Sequence, residues 1–280
     1  MLLRLLLSAF RKQRPLPQQS TAASPAAGLS LEQYEALAPA VTITEGATDV
    51  TYCTPNMATR WRVDTLYTKE PDTIEWIRSF EAGDVFVDIG ANVGMYSIFA
   101  AKVKGAMVYA FEPESQNYGL LYKNIVVNAV SDRITAYCAA LTDEEKFSLL
   151  YLSNFHLGNS CHTFDAPLDP NLRNRESRYT QGCFSTTLDN LTGRGVLPVP
   201  THIKIDVDGI EHKVLAGCRK TLGNRKVRSV LVEINTNLPE HRSIIGQMAD
   251  LGFSYSTGQV NSSMRQDGPF KGVANHVFRR

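Results

Sequence analysis

Short apolar runs and helical apolar stripes alternate along most of this chain. Runs at residues 85–89, 107–111, 134–141, 147–152, 202–206 and 228–234 suit strands and are too short for helices. Between and after them, residues 94–103, 115–130, 210–222 and 239–251 repeat apolar side chains every three or four positions, which predicts helices. Another helix is expected from Pro71, with Ile74, Ile77 and Phe80 on one face and Asp72 and Glu75 at capping-box spacing. Residues 253–257 and 276–280 are expected to close the sheet as an antiparallel pair.

Strands alternating with helices predict an α/β fold, a mostly parallel sheet with helices on both faces. In such sheets ligands bind outside the carboxyl ends of the strands, where strand order reverses. The polar stretch over about residues 153–185, with Pro167 and Pro170, reads as a substrate-side insertion. Residues 30–280 are then one domain with an N-terminal extension over 30–82. Residues 1–29 read as a basic leader and a Pro/Gln/Ser/Ala-rich linker. The apolar run of the leader is too short to span a bilayer, and its charges follow the run, unlike a signal peptide. It is either a frayed end or a short basic amphipathic helix giving peripheral membrane contact through residues 1–14.

Composition narrows the partners. Apolar residues make up 43% and charged residues 20%, and 29 basic against 28 acidic residues leave a net charge of +1. Such a chain has no basic field for a polyanion, which disfavours nucleic acid. Five scattered cysteines without a C-x-x-C fit reduced thiols in the cytoplasm. A zinc site assembled from His156, Cys161, His162 and Cys183 matches no standard ligand spacing.

The stretch VFVDIGANVGMYSIFAAK joins a strand to a helix through a turn with two glycines. A phosphate loop would need Lys-Ser or Lys-Thr after the last glycine, and none follows. The spacing fits a dinucleotide fingerprint poorly. It fits better the D-x-G-x-x-x-G turn that binds S-adenosylmethionine (SAM), whose carboxylate would face the helix N-terminus. In this reading Gly90 lets backbone approach the ligand, and Asp88 orders the ligand's ammonium end or the turn itself. Glu112 ends the next strand, where a carboxylate can accept hydrogen bonds from both ribose hydroxyls, in NAD proteins as well as here.

HIKIDVDGIE is the second marked stretch. Alternation points Lys204 and Asp206 the same way, and a lysine inside a parallel strand needs a partner. Asp206, or Glu233 on the adjacent strand, is the natural one. Asp208 and Glu211 read either as a capping box or as part of a site.

These motifs, with VYAFEPESQNYGLLYKNIVVN, STTLDNL, IKIDVDGIEHKVLAGCRKTL and VLVEIN, resemble the FkbM family of SAM-dependent methyltransferases; TPNMATRWRVDTLYTKEPDTIEWI resembles its bacterial branch. The resemblance covers roughly residues 51–251. It implies a class I, Rossmann-like methyltransferase fold with a seven-stranded sheet whose last strand is antiparallel. It implies that Asp88, Gly90, Asn92 and Gly94 form the SAM turn, that Glu112 holds the ribose and that Ala140 and Leu141 lie beside the adenine. Asp206 would face the acceptor, and Asp208 stands where the family commonly has glutamate.

The expected reaction is O-methylation of a hydroxyl on a sugar, glycolipid or secondary metabolite, the acceptor being a small molecule or a glycan- or lipid-linked group. Asp206 is the first choice of general base, with Lys204 and Glu233 beside it and His156, His162 and His202 as rivals. No metal is assigned; an ion held by Asp206 and Glu233 is the alternative way of lowering the hydroxyl pKa. The competing functions are a NAD-dependent oxidoreductase and a non-catalytic SAM-binding protein.

Overall fold

The computed structural model describes residues 28–280, so the expectation of membrane contact through residues 1–14 lies outside the described residues. Two units separate, residues 1–38 and residues 39–280. Of the first, helix α1 (Leu31–Ala36) is described; Ser30 caps it with a capping box to Gln33, and none of its residues is buried. All remaining elements belong to the second unit. No helix of the described residues is long and apolar enough to cross a membrane.

The second unit opens with a hairpin of β1 (Ala40–Glu45) and β2 (Thr48–Cys53), then α2 (Met57–Asp64) and α3 (Pro71–Arg78). The central alternation follows as β3 (Val85–Ile89), α4 (Met95–Lys104), β4 (Met107–Phe111), α5 (Ser115–Val127) and β5 (Ile134–Tyr137). Next come β6 (Ala140–Leu141), β7 (Lys146–Leu152), β8 (Thr163–Phe164), β9 (Tyr179–Thr186) and α6 (Leu188–Gly193). The chain returns through β10 (His202–Ile205), α7 (Glu211–Ala216), α8 (Arg219–Gly223), β11 (Ser229–Asn235), α9 (Pro239–Asp250), α10 (Thr257–Ser263) and β12 (Val273–Arg279).

The central sheet runs β12-β11-β10-β3-β4-β5, parallel except for β12. Strand order reverses between β3 and β10, so the polar groups after Ile89 and Ile205 stand at the switch point. This is the class I methyltransferase topology with six strands where seven are expected. The seventh shrinks to one antiparallel bridge, Ser254 to Arg279. It stops there because Ser256 accepts the Gln259 N–H and caps α10.

Side chains alternate between the two faces of the sheet. Phe86, Val108, Ala110 and Leu231 pack with residues of α3, α4 and α5. Val87, Ile89, Ile203, Ile205 and Val230 pack with residues of α7, α8 and α9 on the other face. The hairpin joins the first layer through Asn124 of α5 and Asn128, the residue that caps it, whose amides bind the backbone of Cys53 and Thr51. Three local expectations change. Asp72 does not cap α3; Glu70 is the cap residue, without a side-chain bond, and Pro71 starts the helix. The single helix over 210–222 is two, packed so closely on the β6 end that a Cβ on Gly217 would stand 2.0 Å from the Thr142 carbonyl. The insertion is not irregular throughout: β7 pairs along its whole length with β9 in a second, four-stranded sheet.

Candidate active site

A cavity of about 410 Å³ opens at the switch point. Its floor is the β3 turn and the ends of β4 and β10, and Gly90, Asn92, Glu112, Ala140, Leu141, Lys204, Asp206 and Glu233 all line it. Asp88 and Gly94 do not. Asp88 is fully buried beneath the turn, where Oδ2 accepts the Ser97 hydroxyl at 2.6 Å. Gly94 starts α4 with φ +83, and a Cβ there would meet Leu121 at 2.3 Å. Both residues therefore shape the turn from behind.

The reason for glycine at position 90 differs from the expected one. A Cβ would stand 1.8 Å from the backbone carbonyl oxygen of Asp206, so the close neighbour is strand β10 rather than a ligand. The amides of the turn are also spoken for. Gly90 and Ala91 donate to the Phe111 carbonyl and Gly94 to that of Ala91. Asn92 donates to Glu112 Oε2 at 2.7 Å, and Val93 to the Asn92 side chain. Glu112 takes a second amide, from Glu114, on its other oxygen. Burial nevertheless raises its pKa to about 7, against the pull of these two amides. Each oxygen keeps a lone pair for a further donor.

Beside the turn lies a dense ionic group. Lys204 is 1% exposed, with its ammonium 2.9 Å from Asp206, 3.8 Å from Asp88 and over the Tyr96 ring. Burial lowers the Lys204 pKa, but the Asp206 and Asp88 carboxylates more than reverse this and keep it charged. Burial likewise raises Asp206, and the Lys204 ammonium overcomes that and holds the carboxyl below its ordinary value. Asp88 stays raised, because burial outweighs its more distant lysine, and its Oδ1 has no hydrogen-bond partner. Glu233 pairs with Arg265 at 3.0 Å, not with Lys204, and burial and the charge of Asp206 raise it well above its ordinary value. Arg265 also reaches Glu70, which binds Lys69 at 2.6 Å and accepts the Tyr96 hydroxyl.

Of the two readings of Asp208 and Glu211, the capping box does not form. Ile210 caps α7 without a side-chain bond. Glu211 instead accepts the amides of Val207 and Gly209 and closes the β10–α7 loop. Asp208 holds a left-handed φ of +59 and accepts the Cys161 amide at 2.7 Å, tying the insertion to that loop. Burial raises Asp208 to about 6 and Glu211 to about 7.

The histidine rivals divide. His202 sits at the opposite end of β10, bound to Ser229 and Asp84 and stacked on Phe80. His156 is exposed and outside the cavity, whereas His162 lines it. The four residues of the zinc alternative do not converge, and all five cysteines are free. Among the described residues the single cluster with metal-ligand geometry is Asp206, Glu211 and Glu233, within 4.8 Å of one another. Two of the three already face Lys204 and Arg265.

Sequence reasoning missed the far walls. Trp61, Arg62, Lys69 and Glu70 come from the extension, and Arg265 and Phe270 from the segment before β12. The signal available was TRWR on a short, mostly polar helix, which reads equally well as a solvated face.

The topology, with a carboxylate at the end of β4 and an acidic group at the end of β10, defines a class I α/β methyltransferase. The sequence pattern of the Methyltransferase FkbM domain matches residues 88–255, and the chain belongs to that family. Its curated relatives include the hexuronic acid methyltransferase AglP of Haloferax volcanii, 26% identical over 182 residues (64% of this chain, 67% of the relative). The 31-O-demethyl-FK506 methyltransferase FkbM of Streptomyces tacrolimicus is 28% identical over 174 residues (55% and 66%). The chain thus spans about two thirds of the length of these relatives. The crystal structure of methyltransferase FkbM from Methylobacillus flagellatus superposes with a TM-score of 0.48 at 14% identity, over 81% of this chain and 56% of that one.

The cofactor is therefore SAM, and the dehydrogenase alternative falls. The cavity suits that cofactor. Among its carboxyl groups Asp206 and Glu70 are held below their ordinary pKa values, which leaves anionic groups that suit a sulfonium. Buried Phe111, Ala140 and Leu141 form an apolar stretch of the cavity wall.

Proposed function

We propose that this protein methylates a hydroxyl oxygen of a sugar or of a sugar-like secondary metabolite, with Asp206 accepting the hydroxyl proton. SAM supplies a methyl group already activated on sulfur. Glu112 would hold its ribose hydroxyls, Ala140 and Leu141 its adenine, and Gly90 and Asn92 the wall beside its methionine part. Asp88 and Gly94 fix the turn from behind.

The observation that carries the reading is the Lys204–Asp206 pair at the cavity floor. Of the two neighbouring carboxyl groups, the Lys204 ammonium holds Asp206 below its ordinary pKa while burial and the charge of Asp206 raise Glu233, which favours Asp206 as the ionised proton acceptor. Such a base contributes roughly 10²- to 10⁴-fold, the rest coming from alignment of acceptor and methyl. The names of the two curated relatives, acting on a hexuronic acid and on a 31-O position, support an oxygen acceptor.

The test is incubation with methyl-labelled SAM and a panel of sugars, glycolipids and polyol metabolites, with products located by mass spectrometry. Label on oxygen, lost in Asp206→Asn while S-adenosylhomocysteine still binds, is the expected result. Label on nitrogen or carbon, or full activity in Asp206→Asn, would overturn it. No transfer to any acceptor alongside tight cofactor binding would point to a non-catalytic SAM-binding protein.

A further inference from the structure

If the cofactor's methionine end lies against the β3–α4 turn, its carboxylate needs a positive partner there. Between Gly90 and Gly94 the turn carries no cation and no free amide, since each amide donates within the protein, and the first amides of α4 beyond it are neutral donors. The acidic groups around it repel a carboxylate. Lys204 is committed to Asp206 and Asp88, Arg265 to Glu233 and Glu70, and Lys69 to Glu70.

Arg62 is the cation left over. It stands on α2, half-buried, in the wall of the same cavity. Its Nε donates to the Gly158 carbonyl at 2.6 Å, which fixes the guanidinium plane and leaves the two terminal nitrogens uncommitted. Among the described residues no carboxylate forms an ion pair with it. Its field reaches Tyr96, in the first turn of α4, and Asp208 and His162, three residues that all line the cavity. The surroundings hold it in place. Gly158, at φ +85, lets the insertion press against Thr59 of α2, where a Cβ would stand 2.7 Å from the threonine methyl. Asn56 binds the Leu157 carbonyl from the same helix. A pre-oriented, unpaired guanidinium facing a cavity is the usual partner of a carboxylate.

We infer that Arg62, supplied by the N-terminal extension, is the residue that binds the carboxylate of the methyl donor. The inference rests on the SAM reading of the cavity. It makes the extension part of the cofactor site, although the family match begins only at residue 88.

Calorimetric titration of the full chain with two ligands tests it: S-adenosylhomocysteine, and its decarboxylated analogue, which keeps the amine and lacks the carboxylate. Wild type should bind the first roughly 10- to 100-fold more tightly, as for one charge-assisted, forked contact. Arg62→Ala should abolish that preference while leaving the affinity for the analogue unchanged, and Arg62→Lys should keep part of it. Equal weakening of both ligands by Arg62→Ala would assign Arg62 to holding the Gly158 loop and overturn the inference. So would unchanged affinity for S-adenosylhomocysteine. Failure of wild type to bind either ligand would overturn the SAM reading itself.

Discussion

The backbone carbonyl oxygen of Asp206 occupies the space that a Cβ on Gly90 would need, 1.8 Å from its ideal position. The β3 turn and the end of β10 are thus locked at a distance only glycine allows, and the φ of +80 at Gly90 adds a second reason. Gly90→Ala should lose about 2–4 kcal/mol of stability, since a strained φ combines with a backbone overlap that no rotamer relieves. Urea unfolding measures this, and Asp206 should be displaced enough to remove methyl transfer in whatever fraction still folds. An alanine variant within about 0.5 kcal/mol of wild type would show that the two strands separate freely.

Lys204→Met should be more harmful than its size suggests. It removes the ammonium shared by buried Asp88 and half-buried Asp206, leaving the two carboxylates to repel each other. Breaking such a pair from one side costs about 3–5 kcal/mol. Restoring neutrality with Asp88→Asn in the same chain should recover part of the loss. A double variant no more stable than Lys204→Met alone would mean that the charges are not coupled.

Cofactor affinity should depend on pH through Glu112. Its folded pKa of about 7 means that half of the free protein carries a protonated carboxyl near neutrality. Two ribose hydroxyls donate best to the ionised form, so S-adenosylhomocysteine should bind roughly tenfold more tightly at pH 8 than at pH 6. Glu112→Gln should flatten that slope and weaken binding at pH 8. Titration calorimetry at the two pH values in both proteins decides the matter, and an equal slope in Glu112→Gln would shift the effect to Asp208 or Glu211.

His202 gives the opposite pH dependence, in stability. Burial outweighs the nearby Asp84 and lowers its pKa to about 4, from an ordinary 6.5. The unfolded chain therefore binds a proton first. The stability contributed by the neutral ring is complete above about pH 6.5 and is lost as pH falls toward 4, by roughly 3 kcal/mol. Raised carboxyls such as Glu112 act in the reverse sense, gaining stability as pH falls from 7, so the histidine must be isolated by difference. The stability difference between wild type and His202→Asn, measured by urea unfolding, should narrow by that amount from pH 7 to pH 4.5. A constant difference would place the imidazole in contact with solvent.

The strands that build the site could be read in the sequence because a polar residue ending an apolar run stands out, as Glu112 and Asp206 do. The seventh strand could not, because Phe253-Ser254-Tyr255 has strand character and only the Ser256 cap stops it. The hairpin is short on apolar residues: β1 offers only Val41 and Ile43, both partly buried, and β2 hides Val50 and Tyr52 among polar neighbours. Asp208 and Glu211 matched a capping box at their spacing, and the left-handed φ of Asp208, invisible in sequence, made a loop closure of them instead. Arg62 and Arg265 look like solvated charges until long-range packing brings their segments over the cavity.

The antiparallel strand β12 has a consequence for anyone dividing this chain. The family match ends at residue 255, whereas β12 runs over Val273–Arg279 and pairs with β11 along all seven of its residues. Trp76, upstream of the match, donates its indole N–H to Ser229 at the start of β11. A fragment cut to residues 88–255 would expose a long apolar strand edge and an emptied aromatic socket together. Such a piece would aggregate rather than fold, so the boundaries of shared ancestry and of independent folding do not coincide here.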